Sequence, residues 1–317
     1  MAPTARRFMQ VDVFPSPDKP FSGNPVAVVV SAENLSTEDM QKFASWINLS
    51  ETTFILPPTD PSKADYKLRI FTIARELPFA GHPTLGSCWA WLKSGGTPKK
   101  PGEIVQECGI GLVPIKLDES TGILSFAAPD FIREGDVSNE VLETLCQAMG
   151  ISTNDVLASR WIDNGPGWAG LVLESADAVL AIKTDKINQA GSINWGVIGA
   201  YPKAQRLLEA GLKGERKDLQ GDENEAPSDD ATPHFELRAF CPNESVAEDP
   251  VTGSLNAGVA KWFISAGLAP DHYVASQGTC LGRSGRIYIS AGKPKETGRE
   301  IWVGGHTRTC IEGTVFL

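Results

Sequence analysis

The chain repeats itself. Leu68-Arg69-Ile70-Phe71 returns as Leu237-Arg238-Ala239-Phe240, at an offset of 169 from Leu68 to Leu237. Further on, Gly81-His82-Pro83-Thr84 lies against Asp249-Pro250-Val251-Thr252, at an offset of 168 from Thr84 to Thr252, so one residue is expected to be lost between strand and helix. Each copy reads as a strand, a polar loop, a tight turn and a helix. Weaker echoes flank them: Gly23-Asn24-Pro25 resembles Asn164-Gly165-Pro166, and Gln106 to Gly109 resembles Gln277-Gly278. Such a repeat implies two similar domains. The boundaries expected are 1–128 and 129–317, with a cleft between the halves in which equivalent loops meet. Both matched turns have the chemistry of helix N-termini. Asp249 reads as an N-cap and Pro250 as the first helical residue, and Gly253 lets a ligand approach the backbone; Pro83 and Gly86 play those parts in the first copy. Two helix N-termini aimed at one cleft favour an anion, most simply a carboxylate.

The local patterns fit this scheme. Phe8–Phe14, Pro25–Val30, Thr52–Leu56, Tyr66–Thr72, Ile104–Gln106, Val113–Leu117 and Ile123–Phe126 read as strands, as do Gly170–Leu173, Ile287–Ser290, Ile301–Val303 and Gly313–Phe316. Ser36 can cap a helix with Met40, Phe43, Ala44 and Ile47 on one face, another helix begins near Pro83, and Val141–Met149 and Trp195–Ala210 look helical. Pro129–Glu134 is a plausible boundary. Strands and helices mix without a regular βαβ rhythm, which predicts an α+β fold. Gly214–Pro233 has almost no large apolar residues and reads as a solvated acidic loop insertion in the second half; Ser228 and Thr232 are its modifiable hydroxyls.

Charge and composition exclude several classes. The 317 residues carry a net charge of −10, which argues against nucleic acid or an anionic membrane surface as partner. No apolar run approaches the ~20 residues of a spanning helix. No apolar stretch follows Arg6 and Arg7 as in a signal peptide, so a cytoplasmic protein is expected. The six cysteines form no C-x-x-C pair and no zinc spacing, and read as free, mostly buried thiols in a reducing compartment. No metal is expected.

The candidate chemistry is acid–base. His82 is enclosed by Ala80-Gly81 and Pro83-Thr84; a lone histidine is more often structural, but this turn suits proton exchange. Glu51 lies where a helix gives way to a strand; on a surface it is unremarkable, and half-buried it is a base that becomes an acid. Asp249 is a helix cap or a site-lining acid, and Ser254 a small helix residue or a substrate hydrogen-bonding group. Ser, His and Asp are the residue types of a hydrolase triad, but Thr252-Gly253-Ser254-Leu255 is no G-x-S-x-G elbow. No P-loop is present, and the glycines at 109 and 111 run into a strand, so no nucleotide cofactor is expected. Trp89, Trp91, Trp161 and Trp168 read first as core.

Four motifs together resemble the phenazine-biosynthesis PhzF-like family: Pro20-Phe21-Ser22-Gly23-Asn24-Pro25-Val26-Ala27-Val28, Asn48-Leu49-Ser50-Glu51-Thr52, Glu76-Leu77-Pro78-Phe79-Ala80-Gly81-His82-Pro83-Thr84, and Glu248-Asp249-Pro250-Val251-Thr252-Gly253-Ser254. Gln277-Gly278 followed by Gly282-Arg283 adds to them. The resemblance implies a diaminopimelate-epimerase-like fold, two pseudo-symmetric α+β domains in which a mainly antiparallel sheet wraps a central helix. It also implies a cofactor-free, homodimeric isomerase that shifts a proton on a dihydro-hydroxyanthranilate-like carboxylate. In that likeness Glu51 is the proton shuttle and His82, Asp249 and Ser254 its helpers, with Asn24, Gly81, Thr84, Thr252 and Gly253 expected to bind substrate. Two-thiol racemases of the wider fold carry cysteines at the turns of Gly81 and Asp249, where this chain has none. It departs from the family at Ile73, often Pro, and at Leu255-Asn256, often Ala-His. The alternatives are another proton-transfer enzyme, a dehydratase or tautomerase, and a silent member that only binds a metabolite.

Overall fold

The computed structural model describes residues 3–215, 232–242, 247–295 and 298–317. Most of the acidic 214–233 segment, with Ser228, lies outside the described residues. The chain divides into two compact units, Met1–Ala127 with Gly304–Leu317, and Ala128–Val303.

The first unit contains β1 (Ala5–Val13), β2 (Asn24–Val29), α1 (Thr37–Ile47), β3 (Thr52–Leu56), β4 (Tyr66–Phe71), β5 (Glu76–Leu77), α2 (Gly81–Lys93), β6 (Glu103–Cys108), β7 (Gly111–Leu117) and β8 (Leu124–Ala127). β1 runs antiparallel to β2, β2 parallel to β3, β3 antiparallel to β4, β4 parallel to β6, and β6 antiparallel to β7, which pairs with β8. The short β5 hangs on β4.

The second unit contains β9 (Arg133–Gly135), α3 (Asn139–Met149), β10 (Val156–Asp163), β11 (Trp168–Leu173), α4 (Ala176–Leu180), β12 (Asn194–Ala200), α5 (Pro202–Leu212), β13 (Phe235–Phe240), β14 (Glu248–Asp249), α6 (Gly253–Ala266), β15 (His272–Gln277), β16 (Gly285–Lys295) and most of β17 (Gly298–Gly305). Its pairings repeat the first set in order and direction: β10 antiparallel to β11, β11 parallel to β12, β12 antiparallel to β13, β13 parallel to β15, β15 antiparallel to β16, with β14 hung on β13. The last strand, β18 (Thr307–Phe316), pairs with β1 along its whole length. It therefore belongs to the first unit, although it follows the second in sequence. Both sheets are mainly antiparallel and the fold is α+β.

Each sheet encloses one helix. α2 touches β1, β2, β3, β4, β6, β8 and β18, and α6 touches β10, β11 and β16. Both helices are apolar nearly all round: nine of the thirteen residues of α2 are buried, and ten of the fourteen of α6. A helix without a polar face has to be covered on every side. Gly86 and Gly258, each the sixth residue of its helix, permit the close approach. A Cβ on Gly86 would lie 2.3 Å from Val26 Cγ1, and one on Gly258 would lie 2.6 Å from the Ile162 carbonyl oxygen.

The structure corrects two local readings. Trp195–Ala200 is strand β12, not the start of a helix; the helix after it is α5. Six of the seven residues of β12 are buried, and it pairs with β11 on one side and β13 on the other. An apolar run of that length carries no period that separates a buried strand from a helix. The repeat also needs a different alignment. Facing pairs Phe71–Glu76 and Phe240–Glu248 are equivalent, so the offset grows from 169 to 172 across the loop, and α2 and α6 start 172 apart, at Gly81 and Gly253. The second copy has gained three residues rather than lost one.

Among the described residues no helix is long and apolar enough to cross a membrane. All six cysteines are free; Cys88, Cys146 and Cys241 are buried, Cys108 and Cys310 half-buried, and Cys280 exposed.

One device is repeated with different burial. Arg69 grips Glu76 with bonds of 2.7 and 2.6 Å, and Arg238 grips Glu248 with two of 2.8 Å, each tying the short strand to its neighbour. The second pair is buried, with side chains 2% and 7% exposed, whereas the first is 22% and 38% exposed. Arg238→Leu strands a buried carboxylate and is expected to cost about 3–5 kcal/mol. Arg69→Leu is expected to cost about 1 kcal/mol or less. Urea unfolding of the two variants beside wild type checks the difference.

Candidate active site

Glu51 owes its place to the end of α1. Asn48 takes a left-handed conformation (φ 59°) and closes the helix, and four residues later the chain enters β3. The Glu51 carbonyl accepts from Ala27 N on β2, which fixes the backbone beside that strand. Its carboxylate then stands 3.2 Å from His82 Nε2, with the Glu51 side chain 16% exposed and the His82 side chain 6%. On the other side of the ring, Asn24 Nδ2 lies 3.4 Å from Nδ1.

Burial lowers the His82 pKa to about 3, against a hydrogen bond to the Pro25 backbone that pulls the other way. The ring is therefore neutral at physiological pH. Glu51 faces a neutral imidazole, not a cation, so the pair is not a fixed salt bridge.

His82 is the second residue of α2. The N-cap, Ala80, offers no side-chain hydrogen bond, and Pro83 has no N–H. Helices α1, α3 and α4, by contrast, are capped by the serines at 36, 138 and 175. α6 also lacks a side-chain cap at Thr252. The first-turn N–H groups of both central helices thus remain available to an anion.

In the second half Asp249 is not the N-cap. It sits in β14, paired with Ala239, and α6 begins four residues later at Gly253. Ladder pairing holds Asp249 extended, so the cap position falls to Thr252, whose hydroxyl donates to Asp249 Oδ2 at 2.6 Å. Ser254 is the second residue of α6, equivalent to His82. Trp168 Nε1 donates to its hydroxyl at 2.9 Å, and Asn164 Nδ2 donates to its carbonyl, also at 2.9 Å. The Ser254 hydroxyl meets an indole rather than an imidazole, so no triad is assembled. Thr84 is fully buried and accepts from Gln106 Nε2 at 3.0 Å. It ties α2 to β6.

The structure therefore joins Glu51, His82 and Asn24 in the first half, and Asp249 and Thr252 in the second. Gly81 and Gly253 open the two helices. Several contributors were missed. Trp168 holds Ser254, and Gln277 holds Thr252 and Asn256. Asp12 accepts from Ser22 N and Gly23 N, setting the turn into β2, while Asp163 accepts from Gly165 N and Gly167 N before β11. The signal for Asp163 was an acid at a strand end just before a glycine turn. Cys88 is no base: burial pushes its thiol up to about 12. Among the described residues no group of three or more His, Cys, Asp or Glu could hold a metal. A groove of about 800 Å³ beside Gln41, Trp46 and Phe71 contains none of the candidate residues.

Two pseudo-symmetric halves, each a sheet around an apolar helix with polar side chains at its uncapped start, define the class. Solved structures share it. A phenazine biosynthesis protein of the PhzF family from Bacillus anthracis superposes with a TM-score of 0.76 at 20% identity, covering 99% of this chain and 100% of that one. A probable proline racemase from Agrobacterium radiobacter K84 gives 0.57 at 13% identity, covering 98% and 92%. These likenesses concern the fold. Residues 11–313 match the family described as phenazine biosynthesis-like protein, and the chain belongs to that family. Curated relatives include Antisense-enhancing sequence 1 of Schizosaccharomyces pombe, 38% identical over 99% of this chain and 100% of the relative. They also include trans-2,3-dihydro-3-hydroxyanthranilate isomerase of Pseudomonas aeruginosa, 30% identical over 98% and 99%.

A histidine with a folded pKa near 3 and an ordinary value of 6.5 has a defined linkage. Between those values the unfolded chain binds a proton that the folded chain refuses, so stability rises with pH through this window and is fully present above it. The melting temperature is expected to fall as pH drops from 6.5 to 4, and to fall less steeply in His82→Asn. Scanning calorimetry at several pH values checks this; parallel slopes would show that His82 titrates normally.

Proposed function

We propose that the protein is an isomerase that shifts a proton on a small carboxylate-bearing substrate, with Glu51 as the group that carries it and with no cofactor. The observation that carries this reading is an asymmetry between equivalent positions. Thr52 faces Phe71 and Trp195 faces Phe240, so the counterpart of Glu51 is Asn194, a neutral amide that donates to the Pro166 carbonyl. The repeated fold thus holds one carboxylate base at this position, not two. A racemase needs a base on each face of the reacting carbon; a proton shift needs one that takes and returns.

The chemistry balances simply. The Glu51 carboxylate removes a proton from carbon next to an unsaturated system and becomes a carboxylic acid. The electron pair moves along the conjugated system, and the acid returns its proton to a different carbon. The neutral His82 keeps the Glu51 carboxylate from being locked in an ion pair. A helix N-terminus suits the substrate's carboxylate, and the likeness to the family assigns Asp249 and Ser254 to its remaining polar groups. Relatives that are dihydro-hydroxyanthranilate isomerases by name support this substrate class.

Glu51→Gln keeps the shape and removes the base. It is expected to fold with an unchanged melting temperature and to lose about 10³-fold or more of kcat on trans-2,3-dihydro-3-hydroxyanthranilate. Wild-type-like turnover in that variant would end the assignment. Absence of turnover in wild type as well would move the substrate elsewhere, and a thermal-shift screen of small carboxylates would follow.

A further inference from the structure

The buried side chain of Gln277 does more than fill space at the end of β15. It is fully buried. Its Oε1 accepts from the Thr252 backbone N–H at 3.0 Å and from Asn256 Nδ2 at 2.9 Å. Its Nε2 donates to the Asp249 carbonyl at 3.0 Å and to the Thr252 hydroxyl at 2.9 Å. Two donors and two acceptor sites are all that a primary amide has, and this one uses every one of them.

These partners fix the direction of each bond. A backbone N–H can only donate, so the atom facing Thr252 N is the amide oxygen, and the amide cannot be turned over. Its nitrogen must then donate to Thr252 Oγ1 and to the Asp249 carbonyl. The Thr252 hydroxyl, having accepted from the amide, directs its own proton to Asp249 Oδ2, 2.6 Å away. We propose that Gln277 is a positioning residue that, through Thr252, holds Asp249 as a hydrogen-bond acceptor for the substrate of the reaction proposed above. The chain runs one way, from amide to hydroxyl to carboxylate. The substrate part of this inference rests on the function proposed above; the ordering of the three residues does not.

The first half also ties its central helix to the following strand through a buried glutamine, but at other positions. Tyr66 OH donates to Gln106 Oε1 and Gln106 Nε2 donates to Thr84 Oγ1, again a buried glutamine on the strand after the central helix. The position equivalent to Asp249 is Leu77, by the facing pairs Ile70–Leu77 and Ala239–Asp249. Facing pairs Tyr66–Gln106 and Phe235–Ala275 make Gln106 the counterpart of Ala275, and the helix starts make Ala80 the counterpart of Thr252, so the chain from amide to hydroxyl to carboxylate is particular to the second half.

Gln277→Glu tests the direction with almost no change of shape. A carboxylate oxygen in place of Nε2 turns the Thr252 proton toward residue 277 and away from Asp249. Thr252→Val removes the same bond without touching Gln277, and Thr252→Ser restores it. The charged groups on the surrounding elements stay as they are: Arg238 on β13 and Glu248 on β14 bind each other, and Arg283 packs by its Cβ beside Gly278, after β15. The direct readout is the titration of the Asp249 carboxyl carbon by NMR in protein labelled with 13C-aspartate, which needs no substrate.

A midpoint about one pH unit higher than wild type is expected in both Gln277→Glu and Thr252→Val, with Thr252→Ser close to wild type and the double variant no higher than either single one. The acid limb of kcat/KM should move by the same amount. Unchanged midpoints in Thr252→Val would overturn the proposal, and that variant decides alone should Gln277→Glu fail to fold. A shifted Asp249 titration in a protein that does not turn over dihydro-hydroxyanthranilate would uphold the ordering and reject the substrate instead.

Discussion

A helix with no polar face is the constraint from which the rest of this molecule follows. α2 and α6 cannot lie on a surface, because burial of each large apolar side chain contributes about 1.5–3 kcal/mol that exposure would forfeit. Each must be wrapped, and a short mixed sheet that curls around one helix does so in both halves. Wrapping leaves a single part of each helix with polar business, its N-terminal turn. The short strands β5 and β14, tied down by Arg69–Glu76 and Arg238–Glu248, deliver the chain to that turn. The fold therefore places side chains at a helix start for reasons of packing, and chemistry occupies the place so made.

Duplication supplies the frame and divergence the function. His82 and Ser254 stand at equivalent positions, each second in its central helix, and share no chemistry. Glu51 is answered by Asn194 and Asp249 by Leu77. A protein with the same base in both halves would be suited to abstraction on one face of a carbon and delivery on the other. With a carboxylate at the Glu51 position of one half only, and an aspartate in place of Leu77 in the other, the two halves no longer carry matching acid–base groups. The neutral state of His82 matters to this division, since a cation beside Glu51 would stabilise the carboxylate and weaken it as a base.

Most of the frame was legible in the sequence. The repeated strand around Arg69 and Arg238, the motif around His82 and the Ser36 cap all stand in the structure as the residues suggested, because each depends on local chemistry. What failed depended on partners far away in sequence. The run Trp195–Ala200 became a strand because β11 and β13 flank it, and no period inside six residues records its neighbours. The alignment of the two turns slipped by four positions because the matching threonines outweighed a loop whose length had changed. Asp249 looked like a cap because aspartate before proline usually is one; strand pairing with Ala239 overrode that preference. Gln277 stood out only as part of a motif and Trp168 only as core; the contacts that they make were not legible, since their partners Thr252 and Ser254 lie 25 and 86 residues away.

The central claim is that one carboxylate both takes and returns the proton. The direct measurement is a single-turnover reaction in light water with dihydro-hydroxyanthranilate deuterated at the carbon that loses its hydrogen, followed by NMR and mass analysis of the product. The Glu51 side chain is only 16% exposed, which partly shields a deuteron that it carries from solvent. Part of the label is expected at the new carbon of the same molecule. Product formed at full rate with every deuteron lost to solvent, or placed by a second group, would contradict a single carrier at Glu51.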